Sequence, residues 1–234
     1  MVSKNLSLQL DDSSIDFPVR RVLVAGYTGR DASKVRAHIE ELERQGIPAP
    51  DRVPSVYVIN PSLVTTETDV AIGPRRVSGE VEAALLFPGN KLEDALVSVI
   101  VDFTDREEER RSIQRSKEFP KPLSRRVWRY KDVAGCWDTI ALRSWVEPGP
   151  KQSFYQSGNL GALLSPKDLL ARLSLDHAAT LDGGLEGAVI LMGTVPLLSK
   201  EFLFTDYFAC ELETPEHSKL SLECKLLRES GPRQ

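Results

Sequence analysis

Ser78-Gly79-Glu80-Val81-Glu82-Ala83-Ala84-Leu85-Leu86-Phe87 sets two acids ahead of an unbroken apolar run. Side chains two apart on a β-strand point to the same face, so a strand over 80–87 projects Glu80 and Glu82 together while its remainder enters a core. Two like charges on one face repel unless they are separated, solvated, protonated or bridged by a cation. A solvated strand end meets that condition, and so does a functional site. A second stretch, Leu96-Val97-Ser98-Val99-Ile100-Val101-Asp102-Phe103, is almost wholly apolar until Asp102. Leu96, Ser98, Ile100 and Asp102 share a face, which puts the aspartate at the end of a buried strand, where a carboxylate needs an ion pair or a metal. Arg106, four residues on, is the ordinary partner. Three oxygen ligands from Glu80, Glu82 and Asp102 would instead suit a hard divalent cation, Mg²⁺ first and then Mn²⁺ or Ca²⁺.

Working outward, apolar and β-branched runs predict further strands at 21–27, 55–59, 68–72, 141–146, 187–192 and 202–212. A helix is predicted over 31–45, with Val35, Ile39 and Leu42 as its buried stripe and Gly46 and Pro48 ending it. The charged stretch 105–117 reads as an exposed helix, and Ser165-Pro166-Lys167-Asp168 as a capped helix start. Fifteen glycines and fifteen prolines punctuate the chain without regular βαβ alternation. The expected architecture is a strand-dominated α+β domain over 1–234, with 1–18 an N-terminal extension or edge strand and 216–234 a C-terminal tail.

Composition narrows the function. With 34 acidic and 30 basic residues in 234, net charge −4, the chain lacks the excess of a general nucleic-acid surface. The cluster Arg125-Arg126, Trp128, Arg129 and Tyr130 is too short and isolated for base stacking, so no nucleic-acid partner is expected. The three histidines and three cysteines are scattered, with no CxxC or HExxH spacing, which excludes a sequence-local zinc site. No apolar run reaches the roughly 20 residues of a membrane span. The first dozen residues lack leader character, and an odd cysteine count fits a reducing compartment, so a cytoplasmic location is expected.

Taken in order, these segments resemble the fumarylacetoacetate hydrolase superfamily, in particular an uncharacterised subgroup of it. Gly79-Glu80-Val81-Glu82-Ala83 is similar to its acidic strand, and Asp102 with Arg106 to its later strand and following arginine. Lys117 in Ser116-Lys117-Glu118-Phe119, the turn Gly193-Thr194-Val195-Pro196, and Gly26-Tyr27 ahead of His38 and Glu41 complete the pattern. The resemblance implies a fumarylacetoacetase C-terminal-domain-like mixed β-sandwich roll with a few peripheral helices. It implies Mg²⁺, or Mn²⁺ or Ca²⁺, on Glu80, Glu82 and Asp102, and a small-molecule 2-oxo acid or 1,3-dicarbonyl substrate. The reaction would be C–C bond hydrolysis or decarboxylation through a metal-stabilised enolate. The alternatives are an isomerase, dehydratase or cyclase of the same chemistry, or a non-catalytic metal-binding scaffold. A homodimer is implied as well.

The resemblance also distributes roles. His38, with Glu41 at contact spacing, would be the general base, against the plain reading of a histidine at a helix edge. Lys117 would hold an enolate or carboxylate oxygen, or is a surface lysine. Thr194 and its turn would bind a substrate carboxylate, or form a turn only. Tyr27, Arg30, Arg106 and Gln156 would be substrate contacts, although Arg30 can also pair with Asp31. Departures are Val101 in place of an asparagine, the segment Lys117-Glu118-Phe119-Pro120-Lys121-Pro122, and Phe103 and Cys136 where the subgroup leads one to expect histidine. The last two motivate a less polar pocket that favours decarboxylation, tautomerisation or ring closure.

Overall fold

The structure is a computed structural model that describes residues 4–44, 46–147, 154–177, 181, 183–199 and 201–228. The strands run β1 Lys4–Leu10, β2 Ser13–Val19, β3 Arg21–Gly26, β4 Ser55–Ile59, β5 Val64–Thr65, β6 Asp69–Ala71, β7 Val77–Leu86 and β8 Leu96–Asp105. They continue with β9 Lys121–Pro122, β10 Arg126–Arg129, β11 Ala141–Trp145, β12 Gln156–Asn159, β13 Ala188–Leu191, β14 Tyr207–Glu213 and β15 Lys219–Leu227. The α-helices are α1 Ala32–Arg44, α2 Ile113–Ser116, α3 Tyr130–Val133 and α4 Pro166–Asp176.

One sheet has the order β2-β1-β10-β8-β7-β13-β3-β4, a second β12-β11-β14-β15-β6, and β5 pairs with β9 alone. The antiparallel pair β7–β8 lies at the middle of the first sheet, in register from Val77 opposite Asp105 to Leu86 opposite Leu96. Alternation along these strands divides their side chains between two cores. Val81, Ala83, Leu85, Val99, Val101 and Phe103 pack with Phe208, Cys210, Leu220 and Leu222 of the second sheet. Ala84, Leu86, Leu96 and Ile100 face the other way. That second core also takes in Phe17 of β2 and Ile59 of β4, from opposite ends of the sheet order, so the sheet curls around it. Burial on both faces explains why β7 and β8 read as near-continuous apolar runs. The strand-dominated α+β roll expected from the sequence is the one observed.

Several local expectations are corrected. Helix α1 forms where its stripe predicts, with Asp31 Oδ1 accepting the Ser33 N–H at 2.9 Å at its start, but no residue of it is buried. Val35, Ile39 and Leu42 are only half-buried, because the helix packs along one edge of a cleft and not into a core. Gln45, the expected last residue, lies outside the described residues. The stretch 105–117 is not one exposed helix: Asp105 ends β8, Glu108–Arg110 makes a 3-10 turn, and α2 is a single turn capped by Ser112. Arg106 and Lys117 within it are buried, since their charges are spent on acids of neighbouring elements and not on water. The segment 202–212 becomes a strand only at Tyr207. Of the segment read as an extension or edge strand, the described residues from Lys4 on form the β1–β2 hairpin that edges the first sheet, and of the segment read as a tail, Lys219–Leu227 forms β15 between β14 and β6. Among the described residues no helix is long and apolar enough to cross a membrane.

Candidate active site

Glu80 and Asp102 are direct cross-strand neighbours, and Glu82 is the next residue of β7 on their face. They stand where the second core gives way to a cleft of about 950 Å³. Glu82 and Asp102 are 3% and 0% exposed, so they are not the solvated strand end that the sequence also allowed. Helix α1 brings His38 and Glu41 to this cleft, β4 brings Tyr57, and the turn after β13 brings Gly193 and Thr194.

Cations of the chain itself answer the acids. Lys117 Nζ donates to Asp102 Oδ2 at 2.5 Å and to Thr104 Oγ1 at 3.0 Å, and lies 3.8 Å from Glu80 Oε2. Lys121 Nζ donates to the Phe103 carbonyl at 2.7 Å and sits 3.0 Å from Asp102 Oδ1, off hydrogen-bond alignment, so Oδ1 has no aligned donor. Arg106 donates from Nε to Ser78 Oγ at 2.7 Å and from Nη1 to Glu109, and its Nη2 lies 3.1 Å from Glu80 Oε1. The Phe202 ring covers the Arg106 guanidinium at 3.9 Å. The expected Arg106–Asp102 pairing is therefore replaced: Asp102 belongs to the two lysines and Arg106 to Glu80 and Glu109.

Protonation follows from these contacts. Burial opposes the charge of Asp102, but Lys117 and Lys121 outweigh it and hold the carboxyl down at about 2. Glu82 is pushed well above the usual carboxylate range, first by burial and then by the charge of Asp102. Burial opposes the charge of Lys117, yet Asp102 and Glu80 outweigh it and raise its pKa. For Lys121 burial wins and the pKa is lowered. Burial, with Tyr57 next, pushes the Tyr27 phenol up to about 12, so it stays a donor at neutral pH.

Glu82 Oε2 accepts the Gly193 N–H at 2.7 Å, and this contact depends on the glycine. Gly193 has φ +87°, and a Cβ there would run into Thr28 Oγ1, which donates to the Met192 carbonyl at 2.7 Å. Gly193→Ala is expected to cost about 1–3 kcal/mol in denaturant unfolding, from strained backbone and overpacking together. An unchanged midpoint would show that this turn is not held as described.

The structure brings Tyr27, His38, Glu41, Glu80, Glu82, Asp102, Arg106, Lys117 and Thr194 to one cleft. His38 and Glu41 stand at its rim, both more than half exposed, with Nδ1 3.9 Å from Oε2; the Tyr27 and His38 rings are 6.4 Å apart. Thr194 Oγ1 donates to the Val81 carbonyl at 2.6 Å, so its proton serves the turn and not a substrate carboxylate. Gln156 is not a cleft residue. It is fully buried, its Oε1 accepts from Val81 N and Ser144 Oγ, and its Nε2 donates to Thr194 Oγ1 and the Val195 carbonyl, which ties β7 to the turn. Arg30 also lies elsewhere, in a bidentate pair with Asp138 at 2.7 and 2.8 Å, because Asp31 already caps α1. Val101 and Phe103 occupy the opposite face of β8 in the inter-sheet core, and Cys136 is half-buried against the Val133 carbonyl. None of the three lines the cleft, so they do not make it less polar. Sequence reading missed Lys121, Glu109, Tyr57 and Phe202; only Tyr57 and Phe202, each on a predicted strand, carried a local signal.

This curled mixed sheet, packed on a second sheet, defines the fold class of fumarylacetoacetate hydrolases. Fumarylpyruvate hydrolase from Pseudomonas aeruginosa, solved with Mn²⁺ and pyruvate, matches with TM-score 0.66 at 16% identity over 96% of this chain and 97% of that one. A yeast fumarylacetoacetate hydrolase family protein matches with TM-score 0.60 at 18% identity over 92% and 96%. The 5-carboxymethyl-2-hydroxymuconate delta-isomerase from Mycobacterium smegmatis matches with TM-score 0.60 at 17% identity over 91% and 80%. No curated protein sequence matches the chain. Within this fold class the chain belongs to the family described as protein of unknown function DUF2848, whose model matches residues 25–225. The resemblance is borne out in the fold, and the family that matches is itself one of unknown function.

Proposed function

We propose that the chain is a divalent-metal-dependent, cytoplasmic, homodimeric enzyme that acts on a 2-oxo acid or 1,3-dicarbonyl compound by C–C bond hydrolysis or decarboxylation. The observation that carries this reading is the set of three carboxylates from adjacent strands, Glu80, Glu82 and Asp102, at the buried floor of a cleft of small-molecule size. Their all-oxygen donor set suits a hard cation, and Asp102 Oδ2, which Lys117 now holds, is the oxygen on the cleft side. In this conformation, however, Lys117 stands between Asp102 and Glu80, and among the described residues no three acidic, histidine or cysteine side chains already converge as an ion cage. Glu80, Glu82 and Asp102 would hold Mg²⁺ or Mn²⁺, with Ca²⁺ also compatible, once the ammonium gives way, and the bound ion would supply Lewis acidity to adjacent oxo and carboxylate oxygens. The Mn²⁺ and pyruvate of the P. aeruginosa hydrolase support this reading.

The other roles follow from the chain's own groups. Lys117, displaced from Asp102, donates to the oxygen on which negative charge develops. Tyr27 donates its phenol proton to a substrate oxygen. Ile113, Leu197 and Phe202 give the cleft apolar walls for the rest of the substrate. His38, oriented by Glu41, takes the proton of attacking water. The isomerase of known structure on this fold favours isomerisation through the same enolate as the second reading.

Calorimetric titration with Mn²⁺ and Mg²⁺, followed by a panel of oxo acids and acylpyruvates, tests the proposal. Binding of both ions weaker than millimolar would sink it, together with the metal-binding scaffold, and leave a metal-free one. His38→Ala is expected to lower hydrolysis by about 10²-fold or more while leaving any decarboxylation intact. Hydrolysis at the wild-type rate would remove His38 from the mechanism. Sedimentation velocity checks the dimer.

A further inference from the structure

The acid cluster holds two buried lysines, and they are not equivalent. Lys117 faces the cleft, follows the one-turn helix α2, and among the described residues its Nζ hydrogen-bonds only to side chains, those of Asp102 and Thr104. Lys121 is 0% exposed and does not line the cleft. Its Nζ is fixed to the backbone carbonyl of Phe103, its own strand β9 is pinned in parallel register with Val64 of β5, and two residues on, Leu123 bridges back to Ile100 of β8. The two ammonium groups take opposite oxygens of one carboxylate, Lys117 on Oδ2 and Lys121 on Oδ1.

We propose that Lys121 is a positioning residue that serves as the permanent counter-cation of Asp102, anchoring it from the core side, while Lys117 is the exchangeable counter-cation that yields its place to a divalent ion. The inference rests on the metal-dependent reading above. A buried carboxylate stripped of its only partner would be strongly destabilised, so a site that must release one cation and admit another needs a second that stays. Lys121 supplies it: when Lys117 leaves, Asp102 still has a fixed positive charge 3.0 Å from Oδ1, and its Oδ2 remains directed to the cleft. The cost of this arrangement is repulsion between the fixed ammonium and the incoming ion, which sets affinity below that of an uncompensated acid triad.

The test uses the full chain, with Mn²⁺ as probe, and reads affinity by calorimetry or Mn²⁺ electron paramagnetic resonance and stability by thermal melting. Lys117→Met removes the competitor and is expected to tighten Mn²⁺ binding about tenfold, with the fold retained because Lys121 still pairs Asp102. Lys121→Met removes the anchor and is expected to lower the melting temperature of the ion-free protein by roughly 6–20 °C, with much of the loss recovered at saturating Mn²⁺. Wild-type Mn²⁺ binding that is unchanged or weakened in Lys117→Met would overturn the proposal and leave the metal-dependent function standing. A melting temperature of Lys121→Met equal to wild type, or a loss that Mn²⁺ does not recover in a variant that binds it, would overturn it too. Should Lys121→Met fail to fold, Lys117→Met decides alone. Absence of Mn²⁺ binding in the wild type and in both variants would remove the function and the inference together.

Discussion

Asp102→Ala is expected to abolish turnover and to lower the melting temperature of the ion-free protein by roughly 6–20 °C. The range comes from the cost of breaking a buried ion pair, about 3–5 kcal/mol, and from the roughly 2–4 °C per kcal/mol of a chain this size. Two ammonium groups lose their carboxylate at once. Lys117 keeps Thr104 and the more distant Glu80, but Lys121 keeps only the Phe103 carbonyl. Burial already lowers the Lys121 pKa with Asp102 present, so without Asp102 the group gives up its proton still more readily. A base whose folded pKa is lowered binds fewer protons folded than unfolded, so stability rises with pH. The deficit of Asp102→Ala should therefore shrink as pH climbs toward the value of an exposed lysine. Asp102→Asn, which keeps shape and one acceptor, should fall between. Thermal melts at several pH values check the series; a loss under about 2 °C would mean that the lysines do not depend on Asp102.

Why Asp102 was visible in the sequence and Lys121 was not is a question of range. Asp102 interrupts an apolar run whose alternation is local, so strand, face and burial all follow from the residues around it. The same holds for Glu80 and Glu82, and for the strands of the roll. Lys121 sits in Lys-Glu-Phe-Pro-Lys-Pro, which reads as surface; its burial comes from a two-residue parallel pairing with β5 and a contact 19 residues back along the chain, neither of which has a periodic signature. Arg30 failed for the same reason, its partner Asp138 being 108 positions away. Gln156 was misplaced because four hydrogen bonds that make an amide structural cannot be told, from sequence, from four that bind a ligand. The charge run 105–117 looked helical and solvated because sign alternation is local, whereas the acids that bury Arg106 and Lys117 stand mostly on β7 and β8.

Glu82→Gln is expected to act in the opposite sense on stability and the same sense on function. Burial and the charges of Asp102 and Glu80 push the Glu82 pKa well above its ordinary 4.5. An acid with a raised folded pKa binds more protons folded than unfolded, so its contribution to stability falls as pH rises through and beyond the unfolded value. Near pH 4 the folded side chain is protonated and glutamine is a close mimic, with its own oxygen still able to accept the Gly193 N–H, so the two proteins should melt alike. As pH increases, wild type bears the growing cost of a charged Glu82 and the variant does not, which should leave Glu82→Gln about 2–6 °C more stable at neutral pH without added ion. Saturating Mn²⁺ should reverse the order, because the ion uses the charge that the apo-protein is strained to hold. Turnover should fall about 10³-fold or more with the loss of a charged ligand. The check is a grid of melting temperatures against pH with and without Mn²⁺. A variant less stable than wild type at every pH without ion would mean that Glu82 is fully compensated by Lys117 and the Gly193 N–H. The three carboxylates would then be a structural ion-pair network, with no reserve of negative charge for a cation to claim.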